Sequence, residues 1–192
     1  ASLLSHARCA ADFRLVSLSG GGKENAIPKE AKAVVSVRSC DATTFEQSIK
    51  ESADVWMQEI SATEPHAKIE VGKADAAADK VLDFHSTENV IYALWLSPDG
   101  VYRMSQEING MVQTSLNLGV TELAEKTFSA TYLIRSSSQS EKEYLTDKVG
   151  KMTEYLGGTY ELKGVYPAWE FKKNSAIRDM LCESYNRLFN KE

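Results

Sequence analysis

Apolar and polar positions along the chain change period several times, and each change marks an element. Residues 3–11, LLSHARCAA, read as the remainder of a helix, and 13–18, FRLVSL, alternate as a strand does. Three glycines at 20–22 break the alternation, which resumes as a longer strand over 30–38, EAKAVVSVR. Thr43 and Glu46 have the spacing of a capping box, and Phe45, Ile49, Ala53, Trp56 and Ile60 follow at close to 3.6 residues per turn. KIEVGKA, residues 68–74, reads as a strand that closes this unit.

The pattern then returns. A helix is expected over 79–96 with Val90, Ile91 and Leu94 on one side, ended by the turn residues SPDG. Strands are expected over 112–120 and 127–135. Ser140 and Glu143 form a second capping-box pattern before a helix lined by Leu145, Val149, Met152 and Leu156, which Gly157 and Gly158 stop. Residues 159–171 read as a last strand, and 175–189 as a final helix presenting Ile177, Leu181, Tyr185 and Leu188. Both halves therefore read helix-strand-strand-helix-strand. VSL at 16–18 parallels TSL at 114–116, and VVSVRS at 34–39 parallels TYLIRS at 131–136, so Arg38 and Arg135 fall at corresponding strand ends. The expected fold is α/β, more closely an α+β sandwich of two duplicated units, about 1–76 and 77–174. Its sheet is mainly antiparallel, with helices packed on it.

Composition changes this picture little. The 192 residues are 43% hydrophobic and 26% charged, enough to bury a core, and the net charge of −5 comes from interspersed signs. That balance offers no basic stripe for nucleic acid. No apolar run approaches the roughly 20 residues of a membrane span, so neither partner is expected. Cys9, Cys40 and Cys182 are odd in number and widely separated, which points to a reducing, cytoplasmic compartment rather than to disulfides or a thiolate zinc site.

Catalytic motifs are missing. His6, His66 and His85 stand apart, without the HxH, HExxH or HxD spacing of a metal site. There is no GxSxG elbow and no P-loop, and the glycines at 20–22 precede a strand instead of a helix. Two polar residues remain of interest. Arg135 ends an otherwise apolar and aromatic strand, and its planar fork suits a carboxylate or phosphate. On the residues alone the commoner reading is an edge-strand arginine paired with a neighbouring glutamate. Asn25 stands beside the glycines and just before Ala-Ile-Pro, where an amide is either a plain turn-former or a group held out for a ligand.

Four separated segments carry a resemblance: NAIPKEA at 25–31, TSLNLGV at 114–120, LIRS at 133–136, and the run KGVYPAWEFKKNSAIRDMLCESYNRLFNKE at 163–192. Together, in this order, they resemble the bacterial aminoacyl-histidine dipeptidases, cytosolic Xaa-His (carnosine-splitting) enzymes. These sit in the di-zinc metallopeptidase family that also holds aminoacylases and carboxypeptidases. The resemblance implies a catalytic domain, carrying two zinc ions and a general-base glutamate, interrupted by a lid. This chain matches the lid over 1–174, and 175–192 matches the first helix of the resumed catalytic domain. It reads as a piece that starts inside one helix and stops after another. None of its histidines matches a zinc ligand, and the lid histidine of the family would lie upstream of Ala1. The resemblance implies that Asn25 hydrogen-bonds the substrate in the closed enzyme and that Arg135 holds its C-terminal carboxylate. The implied partners are a dipeptide, the catalytic domain of the same polypeptide and, through an exposed sheet edge, a second copy. The isolated chain is expected to be inactive. The alternative reading is a non-catalytic duplicated α/β module that binds a small molecule or makes a subunit contact.

Overall fold

The computed structural model describes residues 1–74, 78, 80–124 and 127–190. The chain runs α1 (Ser2–Ala10), β1 (Phe13–Gly21), β2 (Ala31–Val37), α2 (Ala42–Ile60), α3 (Phe84–Leu96), β3 (Gly100–Met104), β4 (Val112–Ala124), β5 (Thr127–Ser136), α4 (Gln139–Tyr155) and α5 (Ala176–Phe189). This is the expected α+β class. Every strand pair described is antiparallel, in the order β2-β1-β4, with β5 along one edge of β4 and β3 beside the first half of its other edge.

Period-2 alternation gives this sheet one dry face. On it Phe13, Leu15 and Leu18 of β1 meet Ala7 of α1, Phe45 and Ile49 of α2, and Val90 and Ile91 of α3. A smaller cluster joins Leu116 of β4 to Leu145 and Val149 of α4, with Tyr132 and Ile134 of β5 packed against it. Strand length sets where these clusters sit, because β4 is long enough to pair with β5 throughout and with β1 and β3 in turn. Among the described residues no helix is long and apolar enough to cross a membrane.

The repeat of element order departs from expectation at three places. Residues 68–74 form no ladder, although Val71 packs on the first core. The edge of β1 at Leu15 is instead taken by residues near α3: Leu82 N–H donates to Leu15 O at 2.8 Å, and Leu15 N–H donates to Thr87 Oγ1 at 3.2 Å. Residues 159–171 also form no strand. They are bonded to α4 side chains, with Ala168 N–H donating to Gln139 Oε1 at 2.9 Å and Lys142 Nζ donating to Tyr166 O. An alternating pattern states which side of a strand is dry, but only a neighbour with free N–H and C=O groups makes it a strand. Third, β3 has every residue exposed, so no alternation announces it.

Helix starts shift for a related reason. Residues 80–83 are not helical, residue 79 lies outside the described residues, and α3 opens at Asp83, whose carboxylate accepts from Ser86 N–H at 3.0 Å. The two capping-box patterns fall one residue inside their helices, and neither helix has a side-chain cap. Asp41, at the N-cap of α2, spends its carboxylate on Arg38. Glu46 pairs with Lys50, and Glu143 accepts from Gln139. The predicted faces of α2 and α4 hold at Phe45, Ile49, Ala53, Leu145 and Val149, whereas Trp56 is 43% exposed. No residue of α5 is buried.

Candidate functional site

Helices cover one face of the sheet, so the alternate residues line the other. Along β5 that wetter face carries Thr131, Leu133 and Arg135, and along β4 it carries Ser115 and Asn117, because Ser115 pairs with Arg135 and Asn117 with Leu133. Arg135 is exposed. Among the described residues it has no ion-pair partner and no side-chain hydrogen bond, so the glutamate pairing considered for it is not found. Arg38, at the corresponding end of β2, is tied down: its Nε donates to Asp41 Oδ2 at 2.8 Å, and its Nη2 lies 2.8 Å from the same oxygen. That bond, with the field of the carboxylate, raises the guanidinium's pKa above its ordinary value. A planar cation left without a counterion on a sheet surface is suited to grip a carboxylate by two parallel N–H bonds.

Asn25 lies in the loop between β1 and β2, at an exposed turn. The chain folds locally into this loop for three reasons. Gly21 adopts φ +67, a left-handed conformation open to glycine, and a Cβ there would lie 1.9 Å from Gly119 O. Gly21 N–H donates to Glu30 O at 3.0 Å and closes the loop's base. Ala26 N–H donates to Lys23 O at 3.3 Å and makes the turn that holds Asn25 out. The neighbouring Ile27 is 83% exposed, so the loop presents an amide and an apolar side chain together.

The residue that joins this loop to the sheet was not singled out by sequence reasoning. Asn117 Nδ2 donates to Glu24 O at 2.8 Å and to Ala26 O at 3.0 Å, the carbonyls on either side of Asn25. Two residues on, Gly119 permits the contact, since a Cβ there would fall 2.5 Å from Glu24 Cα. Asn117 faces Leu133, one pleat from Arg135, which in antiparallel geometry places diagonal neighbours about 7–8 Å apart. Asn25 and Arg135, about 110 residues apart in sequence, are thus both attached to one stretch of the open face. The local signal near Asn117 is Gly119, two residues on, since a glycine inside a strand marks a close approach without saying which backbone approaches.

The rest of the surface offers less. A shallow cavity of about 210 Å³ at the loop's root is lined by Ser19, Gly20, Gly21, Glu30, Ala31 and Lys32. Another of about 270 Å³ lies among Arg103, Gln113, Ser138 and Glu141, where Arg103 Nε pairs with Glu141 Oε1 at 2.8 Å. His6, His66 and His85 are exposed and apart, and among the described residues no three His, Cys, Asp or Glu side chains converge to hold a metal. Cys9, Cys40 and Cys182 are exposed and free.

No family model matches the chain. It is 32% identical over 181 residues, 94% of its length, to the cytosol non-specific dipeptidase of Escherichia coli (strain K12). Its fold matches the crystal structure of aminoacylhistidine dipeptidase from Vibrio alginolyticus with a TM-score of 0.85 and 30% identity, over 98% of this chain. The chain spans 37% of the first protein's length and 38% of the second's. The resemblance to dipeptidases read from four short segments therefore extends along nearly the whole chain.

Proposed function

We propose that this chain is the substrate-positioning lid of a cytoplasmic zinc metallo-dipeptidase that cleaves Xaa-His dipeptides. The observation that carries the reading is its identity to a dipeptidase along 94% of its own length but only 37% of the relative's. A segment with that relation to a hydrolase, and without a metal-ligand cluster among its described residues, serves chemistry performed by the remainder. In this reading residues 1–174 are the lid, in two related halves at about 1–76 and 77–174. Residues 175–192 begin the catalytic domain. Support for the second point is that α5 leaves Ile177, Met180, Leu181 and Leu188 64–72% exposed, an apolar stripe that a neighbouring domain would cover. In this reading the two zinc ions belong to that domain; among the described residues no three His, Cys, Asp or Glu side chains converge on a site for them.

This chain's own residues bind and orient. Arg135 would take the dipeptide's terminal carboxylate in its open fork, and Asn25 would hydrogen-bond the substrate as the lid closes, fixing the scissile bond before reaction. Histidine specificity is the finer part of the proposal, since one of the two similar proteins is named non-specific and the other aminoacylhistidine dipeptidase. An exposed sheet edge leaves room for a second copy to pair.

The test uses the enzyme encoded by the uninterrupted reading frame, assayed with zinc on dipeptides ending in histidine and in alanine. A charge-assisted bond contributes about 1.5–3 kcal/mol, so Arg135→Ala lowers kcat/KM by roughly 10–100-fold. Arg38→Ala, which removes a guanidinium already neutralised by Asp41, leaves it unchanged. Equal behaviour of the two variants removes Arg135 from the mechanism, and an absence of zinc-binding sequence on either side of this segment removes the lid reading altogether.

A further inference from the structure

Of the residues that hold the candidate site together, Asn117 is the one whose side chain does nothing else. Both of its N–H donors go to main-chain carbonyls of a different element, Glu24 O and Ala26 O. With two acceptors in front of it, the amide's orientation is fixed: nitrogen toward the loop, oxygen away. The backbone of the loop comes so near the strand that a Cβ on Gly119 would lie 2.6 Å from both Glu24 O and Lys23 O. Val120 pairs with Gly21 at the loop's entry, and the β4–β5 register shifts between Leu118 and Val120. The first irregular residue is secured, because Leu118 N–H donates to Asp99 Oδ1 at 2.8 Å. The strand is thus bent and pinned where the loop crosses it.

We infer that Asn117 is a positioning residue that clamps the 22–30 loop onto β4 and sets where Asn25 stands relative to Arg135. The inference deepens the substrate-grip reading above and rests on it for its functional half. A loop between two strands is ordinarily free to sample many arrangements, and an exposed asparagine at its tip would meet a ligand only after ordering. Two bonds to the carbonyls flanking Asn25 remove that freedom beforehand. The clamp also couples elements distant in sequence: β4 pairs with β5, which carries Arg135, and the Asn117 amide ties the Asn25 loop to that same strand pair.

Two readouts test this in the full-length enzyme. Tryptic cleavage after Lys23 and Lys29, both in the loop, should run about tenfold faster in Asn117→Ala. Turnover should fall by about as much as in Asn25→Ala, and the double variant Asn25→Ala/Asn117→Ala should lose nothing further, as expected of two residues acting through one contact. Should Asn117→Ala fold poorly, Asn117→Asp keeps the shape and turns two donors into acceptors facing carbonyl oxygens, with the same expectations. Unchanged loop cleavage overturns the clamp. Losses that multiply in the double variant overturn its action through Asn25 and leave a merely structural residue. Failure of the grip itself looks different: Asn25→Ala and Arg135→Ala would both retain full turnover, while loop cleavage in Asn117→Ala still rises.

Discussion

The β1–β2 and β4–β5 hairpins are each an antiparallel strand pair followed by a helix, and they are supported unequally. Three helices bury β1: Phe13 and Leu15 lie at 1% and 0% exposure, among residues drawn from α1, α2 and α3. α4 covers the middle of β4 and β5 with a cluster of three buried residues and two half-buried ones beside it, while Leu123 and Phe128 at the far ends of these strands pack on the first core. Polar groups divide the other way. In the first hairpin Arg38 closes on Asp41 and the edge at Leu15 is satisfied by Leu82 and Thr87. In the second, Arg135 is left without a partner among the described residues and Asn117 reaches out to hold another element. One hairpin anchors the domain, and the other offers groups to something outside it.

The largest consequence is in stability. Phe13 packs edge-on against Phe45 with ring centroids 5.3 Å apart, and the Arg8 guanidinium sits 5.1 Å from its ring centre. Phe13→Ala should cost about 3–5 kcal/mol, a large share of the 5–15 kcal/mol typical of a whole domain. Val149→Ala, its counterpart in the second cluster, should cost about 1–3 kcal/mol. Urea midpoints of the two variants measure the difference. Equal shifts would mean that the clusters contribute alike and that the contrast in coverage has no energetic meaning.

A smaller effect sharpens the contrast at the level of single hydroxyls. Thr87 and Thr114 are both fully buried. Thr87 Oγ1 accepts from Leu15 N–H, so Thr87→Val strands a buried backbone donor and should cost about 1–3 kcal/mol. Thr114 Oγ1 and Ser136 Oγ are hydrogen-bonded at 2.8 Å, but Ser136 Oγ also accepts from Ser138 N–H at 3.0 Å and is only half-buried. Thr114→Val should therefore cost about 0.5–1.5 kcal/mol. Thermal midpoints that fall in the opposite order would show that the second hairpin depends on its polar groups as much as the first does.

Much of this division was legible in the chain. The faces of α2 and α4 follow from period alone at Phe45, Ile49, Leu145 and Val149, because a helix carries its own hydrogen bonds and its sequence needs only a dry side. Strands are less self-sufficient. KIEVGKA has the alternation but not the neighbour, and Gly100–Met104 has the neighbour without the alternation. Arg38 and Arg135 look equivalent in VVSVRS and TYLIRS, and what separates them is Asp41, three residues beyond Arg38. A local carboxylate is readable in hindsight, at i+3 of a strand-ending arginine. The bond from Asn117 to a loop 91 and 93 residues away is not, since no local pattern encodes which backbone will pass over a given strand.

The smallest effect concerns pH and tests whether α3 belongs energetically to the first hairpin. Asp83 accepts from Ser86 N–H at 3.0 Å and from the Ser86 hydroxyl at 2.7 Å. These bonds, the backbone one first, favour the ionised carboxylate and hold its pKa below the ordinary aspartate value. The native state therefore binds its proton less readily than the unfolded chain, so the cap's contribution is present in full above the unfolded value of about 3.9 and fades as pH falls through the lower folded value. Asp83→Asn keeps an acceptor at the cap but does not titrate. The thermal midpoint of the unsubstituted protein should exceed that of Asp83→Asn near neutrality, and the gap should close on acidification below about pH 4. Other carboxylates cancel in this difference. Because Thr87, one turn into the same helix, serves Leu15, loosening the start of α3 should also open the edge of β1. Amide exchange at Leu15 in Asp83→Asn should then rise while that at Leu116, beneath α4, stays as it was. A gap that is constant from pH 3 to pH 7 would mean that the Asp83 charge does not support the cap, and exchange that rises at both strands alike would mean that α3 is shared by the two hairpins.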